Sequence, residues 1–161
     1  MRPAGEVAEA LARRLSAAGL TVAAAESLTG GRVAAALTRR PGSSAYFLGS
    51  VVAYANLAKT SLLDVPEALL AEHGAVSEAC ARAMAMGARR RFEASLAVAA
   101  TGIAGPDGGS PAKPVGLVWL AVAGAQGVWT AEHHFTGDRR AVTRAATLEA
   151  LNLLLKYSPG P

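Results

Sequence analysis

Hydrophobic and polar positions along the chain switch between a helical and a strand-like period, and each switch marks an element. From Glu6 to Ala18, Val7, Leu11 and Leu15 recur at four-residue steps, which predicts an amphipathic helix closed by Gly19. Leu20 to Ala25 is a short apolar run and predicts a buried strand. Arg32 to Arg39 predicts a second helix, stopped by Pro41-Gly42, with a loop at Gly42-Ser43-Ser44. Phe47 to Tyr54, carrying Leu48, Val51, Val52 and Tyr54, predicts a second strand. Short helices follow over Asn56–Leu63 and Pro66–His73, the latter with proline in its first turn and Gly74 at its end. Ser77 can cap a longer helix to about Phe92, with Cys80, Met84 and Ala88 on one face. Leu96 to Ala100 is apolar throughout and predicts a third, central strand. Val115–Ala123 and Gly127–Phe135 are joined by Gly124-Ala-Gln-Gly127, which predicts an antiparallel hairpin. The last helix runs from Arg139 to about Lys156, with Asp138 at its start and Val142, Ala145, Leu148, Leu151 and Leu155 on its buried face. Ser158–Pro161 is a tail.

Strands alternating with helices predict an α/β fold, a three-layer α/β/α sandwich. The hairpin makes its sheet of about five strands mixed, though mostly parallel. No linker, composition shift or internal repeat divides residues 1–161, so one domain is expected, with an ordered core over about 6–156. Hydrophobic residues make up 52% and aromatic residues 5% of the chain, so the core must be close-packed Ala, Val and Leu. No apolar run reaches the roughly 18–20 residues that span a bilayer. The stretch Met1–Leu15 lacks the apolar centre of a signal peptide. A soluble, cytoplasmic protein without a membrane partner is expected. Cys80 is the only cysteine, which excludes an intrachain disulfide. One cysteine and three histidines leave little for a zinc site, and no metal is expected. The net charge of +4 raises the question of nucleic acid. The arginines, however, fall in short clusters near predicted helix ends, and no aromatic platform is interleaved with them. No nucleic-acid partner is expected; a small anionic ligand fits better.

Three polar loops follow the first three strands: Ser27–Gly31, Tyr54–Lys59 and Thr101–Gly109. If those strands are parallel neighbours, the loops meet at one edge of the sheet. Ser27 stands where such folds place nucleophiles, although Ser27 or Thr29 could equally cap the next helix, and Gly30-Gly31 allow close approach. Lys59 is one of only three lysines among 16 basic residues. Arginine keeps its proton, whereas a partly buried lysine can lose one and activate a serine hydroxyl. The plainer reading makes it an exposed lysine on a short helix. Tyr54 is either a core ring or a group that tunes Lys59 or faces a flat ligand, and Asn56 either orients an amide or caps a helix. The second glycine loop, through Gly102, Ile103, Ala104 and Gly105, offers backbone N–H groups to an oxyanion or phosphate, and Thr101 can bond the reacting group. It matches neither a dinucleotide-binding fingerprint nor a P-loop. Asp107 either binds a ligand or makes the turn. Arg139 opposes its helix dipole, so it either binds an anion or pairs with Asp138 or Glu132. His133 and His134 alternate along a strand and read as structural.

Six blocks taken together carry a resemblance: Ala25-Glu-Ser-Leu-Thr-Gly-Gly31, Tyr54-Ala-Asn-Leu-Ala-Lys59, His73-Gly-Ala-Val-Ser77, Thr101-Gly-Ile-Ala-Gly-Pro-Asp-Gly-Gly109, Lys113-Pro-Val-Gly116 and Phe135-Thr-Gly-Asp-Arg139. From about residue 6 to 156 the chain resembles the CinA C-terminal-domain family, which includes bacterial nicotinamide-nucleotide amidases. The N-terminal domain of full-length CinA proteins has no counterpart in this sequence, so the resemblance is to the stand-alone form. It implies hydrolysis of the carboxamide of nicotinamide mononucleotide to nicotinate mononucleotide and ammonia, in pyridine nucleotide salvage. It also implies no cofactor, and a homo-oligomer. By position, Ser27 would be the nucleophile and Lys59 the general base, with Tyr54, Thr101 and Arg139 as polar groups of the pocket. Thr29, Gly30, Gly31, Asn56, Gly102, Ile103, Ala104, Gly105 and Asp107 are the substrate-binding candidates. The oxyanion would be held by Gly30-Gly31 or the Thr101–Gly105 loop, and the phosphate by Arg139 or the second loop. Thr29 then becomes the better helix cap, leaving Ser27 free. The competing reading is a non-catalytic pyridine-nucleotide sensor with a competence or DNA-damage role.

Overall fold

The computed structural model describes residues 3–160; Met1, Arg2 and Pro161, part of the expected 1–161 span, lie outside the described residues. The elements are α1 (Ala4–Ala18), β1 (Val22–Glu26), α2 (Arg32–Thr38), β2 (Phe47–Val52), α3 (Asn56–Leu63), α4 (Glu67–His73), α5 (Glu78–Phe92), β3 (Leu96–Gly102), β4 (Leu117–Gly124), β5 (Gly127–His134) and α6 (Arg139–Tyr157). One 3₁₀ turn, Ser43–Ala45, precedes β2 where a plain loop is expected. Gly19 closes α1 in the left-handed conformation, Ser77 accepts the Cys80 N–H at the start of α5, and Asp138 accepts the Ala141 N–H at the start of α6. Among the described residues, no helix is long and apolar enough to cross a membrane.

The sheet order is β2-β1-β3-β4-β5. β1 pairs in parallel with β2 and β3, while β4 is antiparallel to both β3 and β5. β3 is therefore the central strand, as its unbroken apolar run predicts. The β1–β2 register shifts once, between Val22/Phe47 and Ala23/Gly49, and then runs unbroken to Glu26/Val52.

Alternation along the strands divides the core in two. Val22, Ala24, Val98, Ala100, Val118, Leu120 and Val122 face a cluster shared with α1, α2 and α6. Ala23, Ala25, Ala97, Ala99, Ala121 and Ala123 form the other face and meet Leu63, Cys80, Met84 and Ala88 of α3 and α5. An alanine-lined sheet lets α5 lie close, which is how a chain with few aromatics fills its interior. The closest approach is at Gly87 of α5, where a Cβ would stand 1.9 Å from the Leu63 carbonyl oxygen of α3.

The same alternation sends Glu26 toward α2 and the following residue toward α3. Glu26 is fully buried. Its Oε2 accepts the N–H groups of Gly31 and Val33, each at 3.0 Å. Its Oε1 accepts the Ala34 N–H at 2.9 Å and the Ser50 hydroxyl at 3.2 Å. This carboxylate caps α2. Thr29, the cap expected from sequence, does not: the cap position falls on Gly31, which has no side chain to offer. The Thr29 Oγ1 is instead buried without a hydrogen-bond partner.

Two stability predictions follow from these contacts. Gly87→Ala should lower the unfolding free energy by about 1–3 kcal/mol, because the added methyl must push α3 from α5. Glu26→Ala should cost about 2 kcal/mol by orphaning buried N–H groups, whereas Thr29→Val should be neutral or gain up to about 1 kcal/mol. Urea denaturation of the three variants measures both.

Candidate active site

The site begins with a chain segment that folds back on itself. β2 ends at Val52, Ala53–Ala55 turn the corner, and α3 carries Lys59 in its first turns. The Ala53 N–H bonds the Glu26 carbonyl at 2.8 Å, tying this corner to the end of β1. The side chain of Lys59 is 1% exposed, which overturns the plainer reading of an exposed lysine. Its Nζ donates to the carbonyls of Ala53 at 2.9 Å and Tyr54 at 3.2 Å, and lies 3.1 Å from Ser27 Oγ.

These three partners constrain the chemistry of the amine. Carbonyl oxygens only accept, so two N–H bonds of Lys59 are committed to Ala53 and Tyr54. The remaining tetrahedral position points to Ser27. In the ammonium form it is a third N–H; in the neutral amine it is the lone pair, able to accept the Ser27 proton. Burial lowers the Lys59 pKa from the usual lysine value, opposed by a smaller effect of Cys80. Burial also pushes the Cys80 thiol up to about 11, against the pull of Lys59 and Lys113. Near neutral pH the thiol is therefore uncharged and supplies no counter-ion. Among the described residues, no carboxylate lies within ion-pair distance of Lys59.

Ser27 follows β1 directly and is mostly buried. Its N–H bonds the Ala100 carbonyl of β3 at 2.9 Å, which extends the strand pairing by one residue. The glycines of its loop are less available than their sequence suggests. The Gly30 N–H already bonds the Ser27 carbonyl, and the Gly31 N–H bonds Glu26. By contrast, the N–H groups of Leu28 and Thr29 meet no acceptor among the described residues. The expectation that Gly30-Gly31 hold an oxyanion is corrected on this ground.

Thr101, at the end of β3, is buried and donates its hydroxyl to the Ala75 carbonyl at 2.8 Å. With its proton committed, it faces other groups only as an acceptor. Ile103 pairs with Leu117 through its N–H and with Gly116 through its carbonyl, whereas the N–H groups of Ala104 and Gly105 meet no acceptor among the described residues. Asp107 is exposed further out on that loop, beside Pro106 and Gly108. Asn56 is exposed at the first position of α3, and no side-chain bond caps that helix, so the capping role does not hold.

Tyr54 is 57% exposed, not a core ring. Its carbonyl, rather than its hydroxyl, meets Lys59; the hydroxyl accepts from Arg139 Nη2. Arg139 also donates through Nη1 to the Gly105 carbonyl at 3.0 Å. It pairs with neither Asp138 nor Glu132: Asp138 caps α6, and Glu132 contacts His134. His133 stacks on Phe135. The three loops thus meet at one edge, with Tyr54 joining the Lys59 end to the Arg139 end.

Two residues escaped the sequence reading. Glu26 carries no mark of its role, because a carboxylate five residues before a glycine cap looks like a strand-end charge. Arg32 donates to the Thr29 carbonyl at 3.1 Å and lines a cleft with Arg139. Its signal was present: like Arg139, it opens a helix against the dipole.

Comparison with known proteins places this arrangement. The sequence pattern of the CinA C-terminal domain matches residues 4–158. A CinA-like protein of Anaeromyxobacter dehalogenans (strain 2CP-1 / ATCC BAA-258) is 56% identical over 149 residues, covering 92% of this chain and 36% of that protein. A CinA-like protein of Citrifermentans bemidjiense is 51% identical over 152 residues, with 94% and 37% covered. The chain thus spans about a third of the length of these curated relatives. Among solved structures, the competence/damage inducible protein CihA of Agrobacterium tumefaciens superposes with a TM-score of 0.93 at 42% identity, over 95% of this chain and 94% of that one. The competence damage-inducible protein A of Klebsiella pneumoniae gives 0.93 at 36% identity, over 97% of both chains. In sequence and in fold, the chain belongs to the CinA C-terminal domain family.

Proposed function

We propose that the protein is an amidohydrolase in which Ser27 attacks a carboxamide with Lys59 as its base, and that the substrate is nicotinamide mononucleotide. The observation that carries this reading is the Lys59 amine: buried, held by two carbonyls, and 3.1 Å from the Ser27 hydroxyl. Neutral Lys59 takes the Ser27 proton as Oγ bonds the carboxamide carbon. The carbonyl oxygen becomes an oxyanion, for which the unpaired N–H groups of Leu28 and Thr29 are the available donors on the nucleophile's own loop. Lys59 then returns the proton to the nitrogen, the C–N bond breaks and ammonia leaves. Water gives a proton to Lys59 as it attacks the ester carbon; Lys59 passes that proton to Ser27 Oγ as the ester C–O bond breaks, and the released acid ionises to the carboxylate. Thr101, as an acceptor only, suits the amide N–H or departing ammonia rather than the oxyanion. The half-exposed Tyr54 ring offers a flat face for a pyridine.

A second reading, a non-catalytic nucleotide sensor, draws on the competence and damage names of similar proteins. Ammonia release from nicotinamide mononucleotide separates the two in one assay.

Ser27→Ala and Lys59→Ala should each abolish ammonia release while circular dichroism stays native. Removing the base alone should cost about 10²–10⁴-fold in rate. Lys59→Arg should fail equally, since arginine cannot give up its proton; appreciable turnover by it would exclude Lys59 as the base.

The pH profile supplies an independent check. Only the neutral amine can act, and burial lowers its pKa in the folded protein. Activity measured as kcat/KM should therefore fall as pH drops through an apparent pKa below the ordinary lysine value of about 10.4. A profile flat from pH 6 to 10 would argue against a titrating lysine.

A further inference from the structure

Arg32 and Arg139 open α2 and α6, each placed where a helix dipole disfavours a cation. Both line one cleft of about 600 Å³, together with Arg140, Ala104, Gly105 and Asp138. Main-chain carbonyls of the two glycine loops aim the pair: Thr29 holds Arg32 and Gly105 holds Arg139. Neither guanidinium lies within ion-pair distance of a carboxylate among the described residues. Asp138 is the one acid in the lining against three arginines, and one of its oxygens is bound to the Ala141 N–H. The first-turn N–H groups of α2 are taken by Glu26 and the Thr29 carbonyl, and Asp138 takes the Ala141 N–H of α6. At the α2 end an anion entering the cleft must then find its partner in the Arg32 side chain. A guanidinium carries five N–H donors. The bonds described use one on Arg32 and two on Arg139, so several remain for a doubly charged group.

We propose that Arg32 works with Arg139 as a phosphate clamp, and that Arg32 distinguishes a phosphomonoester from the same molecule without its phosphate. The inference rests on the amidase reading only for the identity of the rest of the ligand. Tyr54 supplies the spacing: its carbonyl holds Lys59 and its hydroxyl meets Arg139, so charge recognition sits one side chain from the reacting end.

The test uses the full chain with Ser27→Ala, so that ligand is not consumed. Titration calorimetry measures nicotinamide mononucleotide, nicotinamide riboside and inorganic phosphate, with and without Arg32→Ala. The affinity ratio of mononucleotide to riboside should fall by about 10–100-fold in Arg32→Ala, and phosphate binding should weaken in parallel. Arg32→Lys should recover only part of the ratio, because the fork is lost while the charge remains. An unchanged ratio, equal loss for both ligands, or no binding of mononucleotide and phosphate before the Arg32 substitution would overturn the clamp. Ammonia release by the protein with Ser27 intact is scored separately. Arg32-dependent binding without ammonia release sustains the clamp and removes the amidase, whereas ammonia release with an unchanged ratio does the reverse.

Discussion

The structure turns on one amine placed where water and counter-ions are not. Burying an ammonium without an anionic partner is unfavourable, and proteins accommodate it by favouring the neutral form. Here the accommodation is specific. Two main-chain carbonyls take two of the three positions around Lys59 Nζ, and the third is left facing a hydroxyl. Were a glutamate to occupy the position of Cys80, the ammonium would be stabilised and the neutral form, the one able to take a proton, depleted. A thiol whose pKa lies near 11 offers no such charge near neutral pH. Burial thus lowers the Lys59 pKa, and near neutral pH Cys80 adds no charge to offset it.

That amine depends in turn on a carboxylate on the other side of the sheet. Glu26 immediately precedes Ser27, yet its side chain points to the opposite face and ties down the first turn of α2. The strand end is held from one face while the Ser27 hydroxyl is presented to Lys59 on the other. The same bonds occupy the Gly31, Val33 and Ala34 N–H groups at the start of α2, which leaves the Arg32 guanidinium as the donor that this helix end offers to the cleft.

Much of the architecture was legible because the periodicities are clean. Apolar steps of four residues in α1, the unbroken run of β3 and the short glycine link between β4 and β5 locate elements and centre the sheet before any coordinates are seen. The rarity of Lys59 among arginines, and the placement of three polar loops after strands, also pointed to the edge where those loops meet. The misses share a cause: each concerned what a side chain or N–H group already holds. Composition cannot say that Gly30 and Gly31 have committed their N–H groups, that the Thr29 hydroxyl is an orphan, or that Tyr54 turns outward while its carbonyl turns in. Satisfaction of hydrogen bonds is a property of three-dimensional neighbours, and Glu26, the neighbour that takes the Gly31 N–H and the first turn of α2, looks unremarkable in one dimension.

The irregularity in the β1–β2 pairing, at the Leu48 end of β2, has a bearing on how this site tolerates change in chain length. A residue gained or lost in a parallel strand turns every later side chain to the opposite face. In this sheet the extra residue is absorbed before Ala23 meets Gly49, and the frame from there to Ala53 is rigidly kept. The loops upstream can therefore drift in length without altering which way Lys59 and Ser27 face. Downstream, between Ser50 and Lys59, no such slack exists. A change of length in the link between α2 and β2 thus leaves that frame intact, whereas one between Ser50 and Lys59 would shift it.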